Sequence, residues 1–374
     1  MSELCRTYGI SRKTGYKLRE RFEKEGPKGL YDRPRAPLTS PHRTEAAVKE
    51  LLLAARRAHP TWGPKKLRAW LLREHQGVKL PAPSTIGDLL KSHQLVQPRK
   101  RRRTTAPYDA RLQVAKAPND IWCADFKGQF RLGNGKLCYP LTITDRFSRM
   151  ILCCEALEST HLDAALTVFE RTFRTYGLPH VIRTDNGTPF AAKNSLGFSQ
   201  LSVRWLRLGV WPERIEPAHP EQNGQHERMH LVLKQETTRP PAATVLAQQD
   251  RFDAFCNEYN LDRPHEGIGM RTPASLYAPS PRARGNDLPV LTYPLDDLTS
   301  LVRADGRIYF NGARAMISTA LVGEQVGLRE LDDGAWSVSY AGHVLGQLAP
   351  STLAFEPAAL LFPRGAERSQ PDPR

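Results

Sequence analysis

The chain has 374 residues, with 54 lysines and arginines against 39 aspartates and glutamates, and a formal net charge of +15. This length exceeds one typical domain of roughly 100 to 200 residues, so two to four domains are expected. A hydrophobic fraction of 40% and a charged fraction of 25% exclude a chain that is disordered throughout. No apolar run is long enough to cross a bilayer, and the six scattered cysteines contain no C-x-x-C pair. We therefore expect a cytoplasmic protein that has neither a membrane span nor a disulfide framework.

The positive charge is concentrated in the first third of the chain. Residues 1–103 hold 25 basic and 9 acidic residues, whereas the remainder holds 29 and 30. Such a segregated basic region is typical of proteins that bind a polyanion. A membrane surface is one possible partner, but no amphipathic helix combines bulky aromatic residues with lysines. The pattern favours nucleic acid, and so a protein associated with the nucleoid.

Residues 1–35 predict a helix, a tight turn and a second helix, the order of a helix-turn-helix. Gly9 suits a positive φ in the turn, Ser11 suits the N-cap of the second helix, and Tyr16 and Phe22 are expected to face inward. An amphipathic hairpin with a solvated basic face is the alternative interpretation. A helix-turn-helix usually has a third, supporting helix, and none precedes this pair in the sequence. Whether residues are missing before Met1 therefore stays open. The basic residues left to contact DNA are Arg12, Lys13, Lys17 and Arg21.

Residues 42–98 predict three further helices, interpreted as a second helix-turn-helix of the winged type. Ser84 is expected to cap the third helix, and Lys65 and Lys66, at the start of the second, to contact DNA. The next segment, residues 99–116, is a basic linker, which is either solvated or extended along phosphates. Its candidate DNA-binding residues are Arg99, Lys100, Arg101, Arg102 and Arg103.

Residues 117–278 show a different pattern. Three runs rich in β-branched and aromatic residues (IWCADF, LCYPLTITD and MILCCEAL) are followed by a helical segment and a fourth strand, HVIRTD. This order predicts a mixed sheet flanked by helices, as in the ribonuclease H-like fold. Asp125 lies near the end of the first strand and Asp185 at the end of the fourth, so both carboxylates can reach a cleft. Taken alone, Asp185-Asn186-Gly187 is only a turn.

Three motifs together resemble those of bacterial insertion-sequence transposases of the DDE type and of retroviral integrases. They are Trp122-x-x-Asp125-Phe126, Thr184-Asp185-Asn186-Gly187, and the P-x-x-N-G-x-x-E segment from Pro220 to Glu227. The resemblance implies a polynucleotidyl transferase that cleaves the ends of a mobile element and joins them to target DNA. It also implies that Asp125, Asp185 and Glu227 are the catalytic and metal-binding residues. Residues expected to support or flank them are Asn186, Gly187, Asn223, Gly224 and, as phosphate contacts or solvated surface residues, His226 and Arg228.

The third carboxylate requires a choice between Glu221 and Glu227. Glu221 is separated from Asp185 by 35 residues, the spacing found in retroviral integrases, whereas 41 residues separate Glu227 from Asp185. Local context favours Glu227, because Pro220 to Gly224 predicts a loop and helix entry, which leaves Glu227 in the first helical turn. The motif match selects the same residue.

Three carboxylates in one cleft repel one another, and a divalent cation compensates for that repulsion. Oxygen ligands suit Mg²⁺ or Mn²⁺, and two such ions support phosphodiester transesterification. No histidine or cysteine cluster is evident in the sequence, so a site for softer metals is not expected. Double-stranded DNA is the expected partner, and a homo-oligomer is the expected active form.

The C-terminal part predicts a linker at residues 279–296, a small β-barrel at 297–350 and a tail at 351–374. The barrel follows from short alternating strands with turns at Asp305-Gly306, Asn311-Gly312 and Asp333-Gly334. Its near-neutral charge leaves DNA binding and protein contact equally open. Two rival functions also stay open: a ribonuclease H-like nuclease without strand transfer, and a DNA-binding regulator with an inactive core.

Overall fold

The structure is a computed structural model that describes residues 1–33, 44–96, 112–216 and 219–358. The basic residues 99–103 and the end of the predicted tail lie outside these ranges. By its internal contacts the chain divides into two units, residues 1–51 and residues 52–374.

The first unit begins with the predicted pair of helices, α1 (Ser2–Thr7) and α2 (Arg12–Glu25). Gly9 has a φ of +60°, and the Ser11 hydroxyl accepts a hydrogen bond from the Thr14 amide at 3.1 Å, as expected for the turn and the N-cap. The expectation that Tyr16 and Phe22 face inward is wrong, since their exposed fractions are 57% and 48%. Gly15 faces α1 instead, and a Cβ there would lie 2.4 Å from the buried Cys5 sulfur.

Three more helices follow: α3 (Ala46–Ala58), within which the second unit begins, α4 (Pro64–Glu74) and α5 (Pro83–Ser92). Ser84 does not cap α5. The helix starts at Pro83, whose fixed φ suits the first helical position, so Ala82 occupies the N-cap. Residues 44–96 contain no strand, so the hairpin of a winged module is not formed there. The buried residues of this segment include Leu52, Trp62, Leu67, Leu71, Ile86 and Leu90.

The central sheet has the predicted mixed topology. Strand β3 pairs antiparallel with β1 and β4, whereas β5 pairs parallel with β1 and β6, which gives the order β4-β3-β1-β5-β6. The short β2 pairs with the start of β3. The strands are β1 (Ile121–Phe126), β2 (Phe130–Arg131), β3 (Leu137–Asp145), β4 (Ile151–Leu157), β5 (Val181–Thr184) and β6 (Trp211–Arg214).

Helices cover both faces of this sheet. One apolar core joins strand residues such as Trp122 and Ile143 to α6 (Leu162–Tyr176) and α7 (Gln200–Arg207). Another joins β3 and β4 to α8 (Gly224–Thr237) and α9 (Val245–Asn257) on the opposite side. The ribonuclease H-like core expected from the order of elements is therefore present. Among the described residues, no helix has the length and apolar content needed to cross a membrane.

A buried ion pair joins β5 and β6, the parallel strands at one edge of the sheet. The Arg183 guanidinium on β5 donates to the Glu213 carboxylate on β6 at 2.6 Å, and both side chains are at least 90% buried. The same two side chains bind both backbone groups of Gln113, whose amide donates to Glu213 and whose carbonyl accepts from Arg183. The pair therefore holds the entry of the chain into the core beside the strand that ends next to Asp185.

The C-terminal residues form an open structure, so the predicted closed barrel is wrong. Five strands pair in the order β13-β12-β11-β10-β7, with β13 and β7 at the edges, and β8 and β9 form a separate hairpin. The helix α7 and the residue Phe198 before it pack against this sheet: Phe198, Val203 and Leu206 share one buried cluster with Val326 and Leu345. The strands are β7 (Leu298–Leu301), β8 (Arg307–Phe310), β9 (Ala313–Met316), β10 (Gln325–Glu330), β11 (Trp336–Tyr340), β12 (His343–Leu348) and β13 (Phe355–Pro357).

The segment expected to be a linker, residues 279–296, is anchored to the core. The side chain of Arg284 is buried and donates to Glu170 on α6 at 3.1 Å, and Glu170 also accepts from Arg204 on α7. The segment thus runs from the ribonuclease H-like core to the C-terminal sheet along the surface of α6 and α7.

Candidate active site

Three structural elements bring the predicted carboxylates to one end of the sheet. Asp125 is the fifth residue of β1, Asp185 directly follows β5, and Glu227 lies in the first turn of α8. Asp125 and Glu227 line a cavity of about 780 Å³, here called the cleft. The Asp185 carboxylate accepts a hydrogen bond from the Gly187 amide at 3.0 Å, which fixes its direction.

The electrostatics show that the three acidic groups interact. The pKa of Asp125 is raised to about 7, first by burial and next by the negative charge of Asp185, with a smaller contribution from Glu227. The neighbouring Phe126 amide and Lys127 oppose this shift. Burial and like charge together therefore disfavour the ionised form of Asp125 in the absence of a compensating cation.

The N-terminus of α8 determines the setting of the third carboxylate. Glu227 lies where the helix dipole favours negative charge, whereas Glu221 belongs to the short 3₁₀ turn Pro220–Asn223 that precedes the helix. Asn223 occupies the N-cap, but its side chain makes no capping hydrogen bond. Asn186 donates to the Ile215 carbonyl at 2.8 Å and so ties the Asp185 turn to the chain after β6.

A rim of basic residues surrounds the carboxylates. Of the basic residues that line the cleft, only Arg228 was singled out from the sequence, and the structure adds Lys127, Arg149 and Lys234. Lys127 follows Asp125 by two positions, and its pKa is lowered by burial and by the positive charge of Lys234. The sequence gives little sign of this rim, because its members come from β1, the β3–β4 turn and α8.

Two buried histidines lie at the cleft: His230, a lining residue that was not singled out from the sequence, and His226, which was interpreted only as a phosphate contact or a solvated surface residue. His226 and His230 are one helical turn apart on α8, and each places Nε2 2.7 Å from the Thr142 hydroxyl on β3. Burial lowers the pKa of His226 to about 3 and also lowers that of His230, so both rings are neutral. The spacing H-x-x-x-H was the available signal.

These histidines correct the expectation that the chain holds no histidine cluster. One potential ligand atom from each of Asp125, His226 and His230 lies within 4.8 Å of the others. His230 Nδ1 is 3.7 Å from an Asp125 carboxylate oxygen. An imidazole nitrogen therefore adjoins the carboxylate that was expected to work with oxygen ligands alone.

The other residues predicted to bind DNA have different environments. Arg12, Lys13 and Lys17 are exposed on α2, whereas Arg21 is half-buried and donates to the Tyr31 carbonyl at 2.5 Å. Lys65 forms an exposed ion pair with Glu266 on the catalytic core. Burial, followed by the charges of Arg263 and Arg228, lowers the pKa of Lys66 to about 8, so Lys66 lies close to the rim of the cleft.

Comparison with known families agrees with the fold and with the motifs. Residues 115–220 and 208–273 match two family models, each described as an integrase core domain, and residues 14–90 match a homeodomain-like domain. Residues 115–273 therefore match integrase core models along their whole length. The homeodomain-like match runs from α2 to α5 and so spans both helical segments that precede the integrase core.

The curated relatives include proteins of bacterial insertion elements. The chain is 27% identical over 246 residues to the insertion element IS476 uncharacterized 39.2 kDa protein of Xanthomonas euvesicatoria, covering 65% of this chain and 67% of that protein. It is also 27% identical over 188 residues to the insertion element IS407 uncharacterized 31.7 kDa protein of Burkholderia multivorans, covering 49% and 64%. The Gag-Pol polyprotein of Koala retrovirus is 28% identical over 138 residues, which are 36% of this chain and 8% of the polyprotein.

Two solved structures were also found. The catalytic core domain of HTLV-2 integrase in complex with magnesium has a TM-score of 0.35 at 15% identity, over 44% of this chain and all of that one. A chain of the simian T-cell lymphotropic virus intasome has a TM-score of 0.39 at 16% identity, over 78% and 91%. The matches to integrase core models, and relatives from bacterial insertion elements and a retrovirus, confirm the predicted resemblance.

Proposed function

We propose that this integrase-core enzyme is a metal-dependent DNA transposase that binds the ends of a mobile element, cleaves them and transfers them into target DNA. The observation that carries the proposal is the cleft, in which Asp125 and Glu227 are surrounded by four basic side chains, and the Asp125 pKa is raised by burial and by the charges of Asp185 and Glu227. An acidic centre with a basic rim suits a phosphodiester. The basic rim attracts the negative charge of the phosphates, and the carboxylates lie where the reacting phosphate would bind.

The acidic centre fits the divalent cation that its family resemblance implies. Three carboxylates in one cleft repel one another when ionised, and a bound divalent cation would stabilise their ionised forms. Oxygen ligands suit Mg²⁺ or Mn²⁺. Asp125, Asp185 and Glu227 are the residues proposed to hold the metal. Bound there, the metal supplies activation of the attacking oxygen and stabilisation of the leaving oxygen.

One hydrolysis and one transesterification in the same site account for the proposed reaction. In the first, a water oxygen attacks the phosphorus at the element end, the bond from phosphorus to the 3′ oxygen breaks, and a free 3′-hydroxyl is left on the element. In the second, that hydroxyl attacks a target phosphodiester, and the target's 3′ oxygen leaves. The number of phosphodiester bonds is conserved in the second step, so it needs no external energy source.

The protein's own groups position the DNA strand for these steps. Lys127, Arg149, Arg228 and Lys234 are proposed to bind phosphates on either side of the reacting one, which holds the reacting phosphorus over the carboxylates. The Gly187 amide keeps the Asp185 carboxylate in a fixed direction. Glu227 lies in the first turn of α8, where the helix dipole attracts negative charge.

DNA ends are proposed to be recognised by the helices that precede the integrase core. The exposed basic face of α2 suits the groove of double-stranded DNA, and residues 99–103 would add sequence-independent phosphate contacts. Because two element ends must react together, we propose a homo-oligomer that acts in the nucleoid. The proposed domain limits remain 1–35, 42–98, 117–278 and 297–350.

The test uses the full-length protein and duplexes made from the DNA that flanks its coding region, each labelled at one end. Incubation with Mg²⁺ and a supercoiled plasmid should give nicked duplex and then labelled plasmid, and both products should vanish with a chelator. A duplex that already ends in the 3′-hydroxyl should bypass the first step.

Each alternative gives a different result in that assay. Nicking without labelled plasmid, even from the duplex with a free 3′-hydroxyl, would indicate a nuclease and exclude strand transfer. Sequence-specific binding with neither product would indicate a regulator with an inactive core. Full activity in chelator would exclude the metal mechanism.

A further inference from the structure

His230 and His226 occupy equivalent positions one turn apart on α8, yet their ring nitrogens are not equivalently satisfied. Both side chains are at least 94% buried, and the rings meet edge to face with centroids 4.6 Å apart. A buried polar nitrogen is normally paired, so the partners of all four ring nitrogens can be traced.

The Thr142 hydroxyl determines which ring nitrogens carry hydrogen. Its oxygen lies 3.1 Å from the Asp125 backbone carbonyl and 2.7 Å from Nε2 of both His226 and His230. A hydroxyl has one hydrogen to donate and two lone pairs with which to accept. The carbonyl can only accept, so the hydroxyl donates to it and both Nε2–H groups donate to Thr142.

A neutral imidazole carries one ring hydrogen, so a ring whose Nε2–H donates to Thr142 presents a lone pair at Nδ1. For His226 that nitrogen is satisfied, because the Thr144 hydroxyl lies 2.9 Å away and donates to it. For His230, the polar atom facing Nδ1 is an Asp125 carboxylate oxygen 3.7 Å away. That separation is too long for a hydrogen bond, and when Asp125 is ionised both atoms are acceptors.

A nitrogen lone pair and a carboxylate oxygen that face each other are both ligands for a cation. We propose that His230 Nδ1 is a ligand of the cation held by Asp125, so that one metal position has a mixed nitrogen and oxygen ligand set. This inference rests on the proposed function, since it concerns the same cation. The hydrogen bond from His230 Nε2 to Thr142 holds the ring as the outer partners of metal-binding histidines do.

A mixed ligand set changes the expected metal preference. Mg²⁺ binds oxygen ligands almost exclusively, whereas Mn²⁺ and Zn²⁺ accept imidazole nitrogen as well. Mn²⁺ should therefore bind on the order of tenfold more tightly than Mg²⁺, and Zn²⁺ should compete for the same position. His226 is the matched control, because both of its ring nitrogens are already hydrogen-bonded.

The experiment is pulsed electron paramagnetic resonance of Mn²⁺ bound to the full-length protein. The wild type should show the modulation of a directly coordinated ¹⁴N nucleus, and labelling only the histidines with ¹⁵N should convert it to the ¹⁵N pattern. His230→Gln should lose the nitrogen signal and its preference for Mn²⁺ over Mg²⁺, whereas His226→Gln should keep both. Circular dichroism and thermal unfolding monitor the fold of each variant.

The inference is overturned if wild-type Mn²⁺ shows only oxygen ligands, or if a folded His230→Gln keeps the nitrogen signal. The first outcome is measured on the ¹⁵N-labelled wild type alone, so the inference can be tested even if His230→Gln does not fold. Failure of the proposed function looks different: the nitrogen signal would be present while the wild type neither cleaves nor joins DNA. Cleavage and joining with an oxygen-only Mn²⁺ site would reject the ligand and leave the transposase proposal intact.

Discussion

The cleft and α2 both present basic side chains suited to DNA, but in opposite physical settings. In the cleft, Lys127 lies beside the partly buried carboxylate of Asp125, and the charges shift one another's pKa. On α2, Arg12, Lys13 and Lys17 are exposed on one short helix. Buried, coupled charges respond to metal and pH, whereas exposed charges respond mainly to salt. The two regions should therefore fail differently when they are altered.

The largest effect is expected from the carboxylates. Asp125→Asn, Asp185→Asn and Glu227→Gln should each reduce cleavage and strand transfer by about a thousandfold or more, because each removes a charge proposed to hold metal. DNA binding, which we assign to α2 and the basic linker, should change less than about twofold. The measurement is product formation from labelled duplexes, alongside gel-shift titration.

Glu221→Gln is the matched control for the third carboxylate and should keep most of the activity. If Glu221→Gln is inactive while Glu227→Gln is active, the choice of Glu227 is wrong, and the spacing of 35 residues was the better guide. If all four variants lose DNA binding as well, the assignment of binding and chemistry to separate regions fails.

The next effect contrasts a buried ion pair with an exposed one. Glu213→Gln should lower the free energy of unfolding by about 3 kcal/mol, because it leaves the Arg183 guanidinium buried without its charged partner. Glu23→Gln is the control on α2, where the pair with Arg19 is more than half exposed on both sides, and stability should not change measurably. Urea unfolding of both variants, followed by circular dichroism, makes the comparison. Equal stability of the two variants would contradict it.

The same contrast explains how much the sequence could predict. Asp125 and Asp185 were predictable because each lies at or near a strand end, and strand pattern and turn chemistry are local properties. Thr142 and Thr144 were not, because their proximity to the histidines of α8 depends on the pairing of Asp125 with Thr142 across β1 and β3. Closure of the C-terminal barrel was predicted wrongly for the same reason, since the packing of Phe198 against the sheet is a long-range contact.

On α2, the helix and its N-cap were predicted correctly, but the inward face was predicted wrongly. Hydrophobic residues usually mark the buried side of a helix, which favoured Tyr16 and Phe22. In the structure the close approach of Cys5 selects Gly15 instead, because only a residue without a side chain fits there. Close helix contacts through glycine leave little hydrophobic pattern to detect.

A smaller effect is expected when the α2 face is altered. Replacing Arg12, Lys13 and Lys17 together by alanine should weaken binding to an element end by about ten- to a hundredfold and remove much of the preference over a scrambled duplex. Replacing Arg101 to Arg103 should weaken binding to both duplexes about equally and flatten the salt dependence. Gel-shift titrations at several salt concentrations separate the two outcomes. Equal loss on both duplexes from the α2 change would show that end recognition lies elsewhere.

The smallest effect, about tenfold per pH unit, should distinguish the cleft from α2 by pH alone. The pKa of Asp125 is raised to about 7, so below pH 7 the metal-free protein carries a proton there that a cation must displace. Apparent Mn²⁺ affinity should therefore fall about tenfold for each pH unit below 7 and level off above it.

The free energy of unfolding should depend on pH through the same carboxyl group, but it should fall as the pH rises. A carboxyl whose folded pKa is raised favours the folded state at low pH, and this stabilisation is lost as the pH rises from its unfolded pKa to about 7. Mn²⁺ binds the ionised form and restores that loss, so the metal should raise the melting temperature more at pH 8 than at pH 6. Asp125→Asn should abolish the difference, while DNA binding through the α2 face stays constant over the same range. A metal effect on melting that is independent of pH in the wild type would mean that Asp125 is already ionised without a cation, and that the charges of the cleft are no more strongly coupled than those of α2.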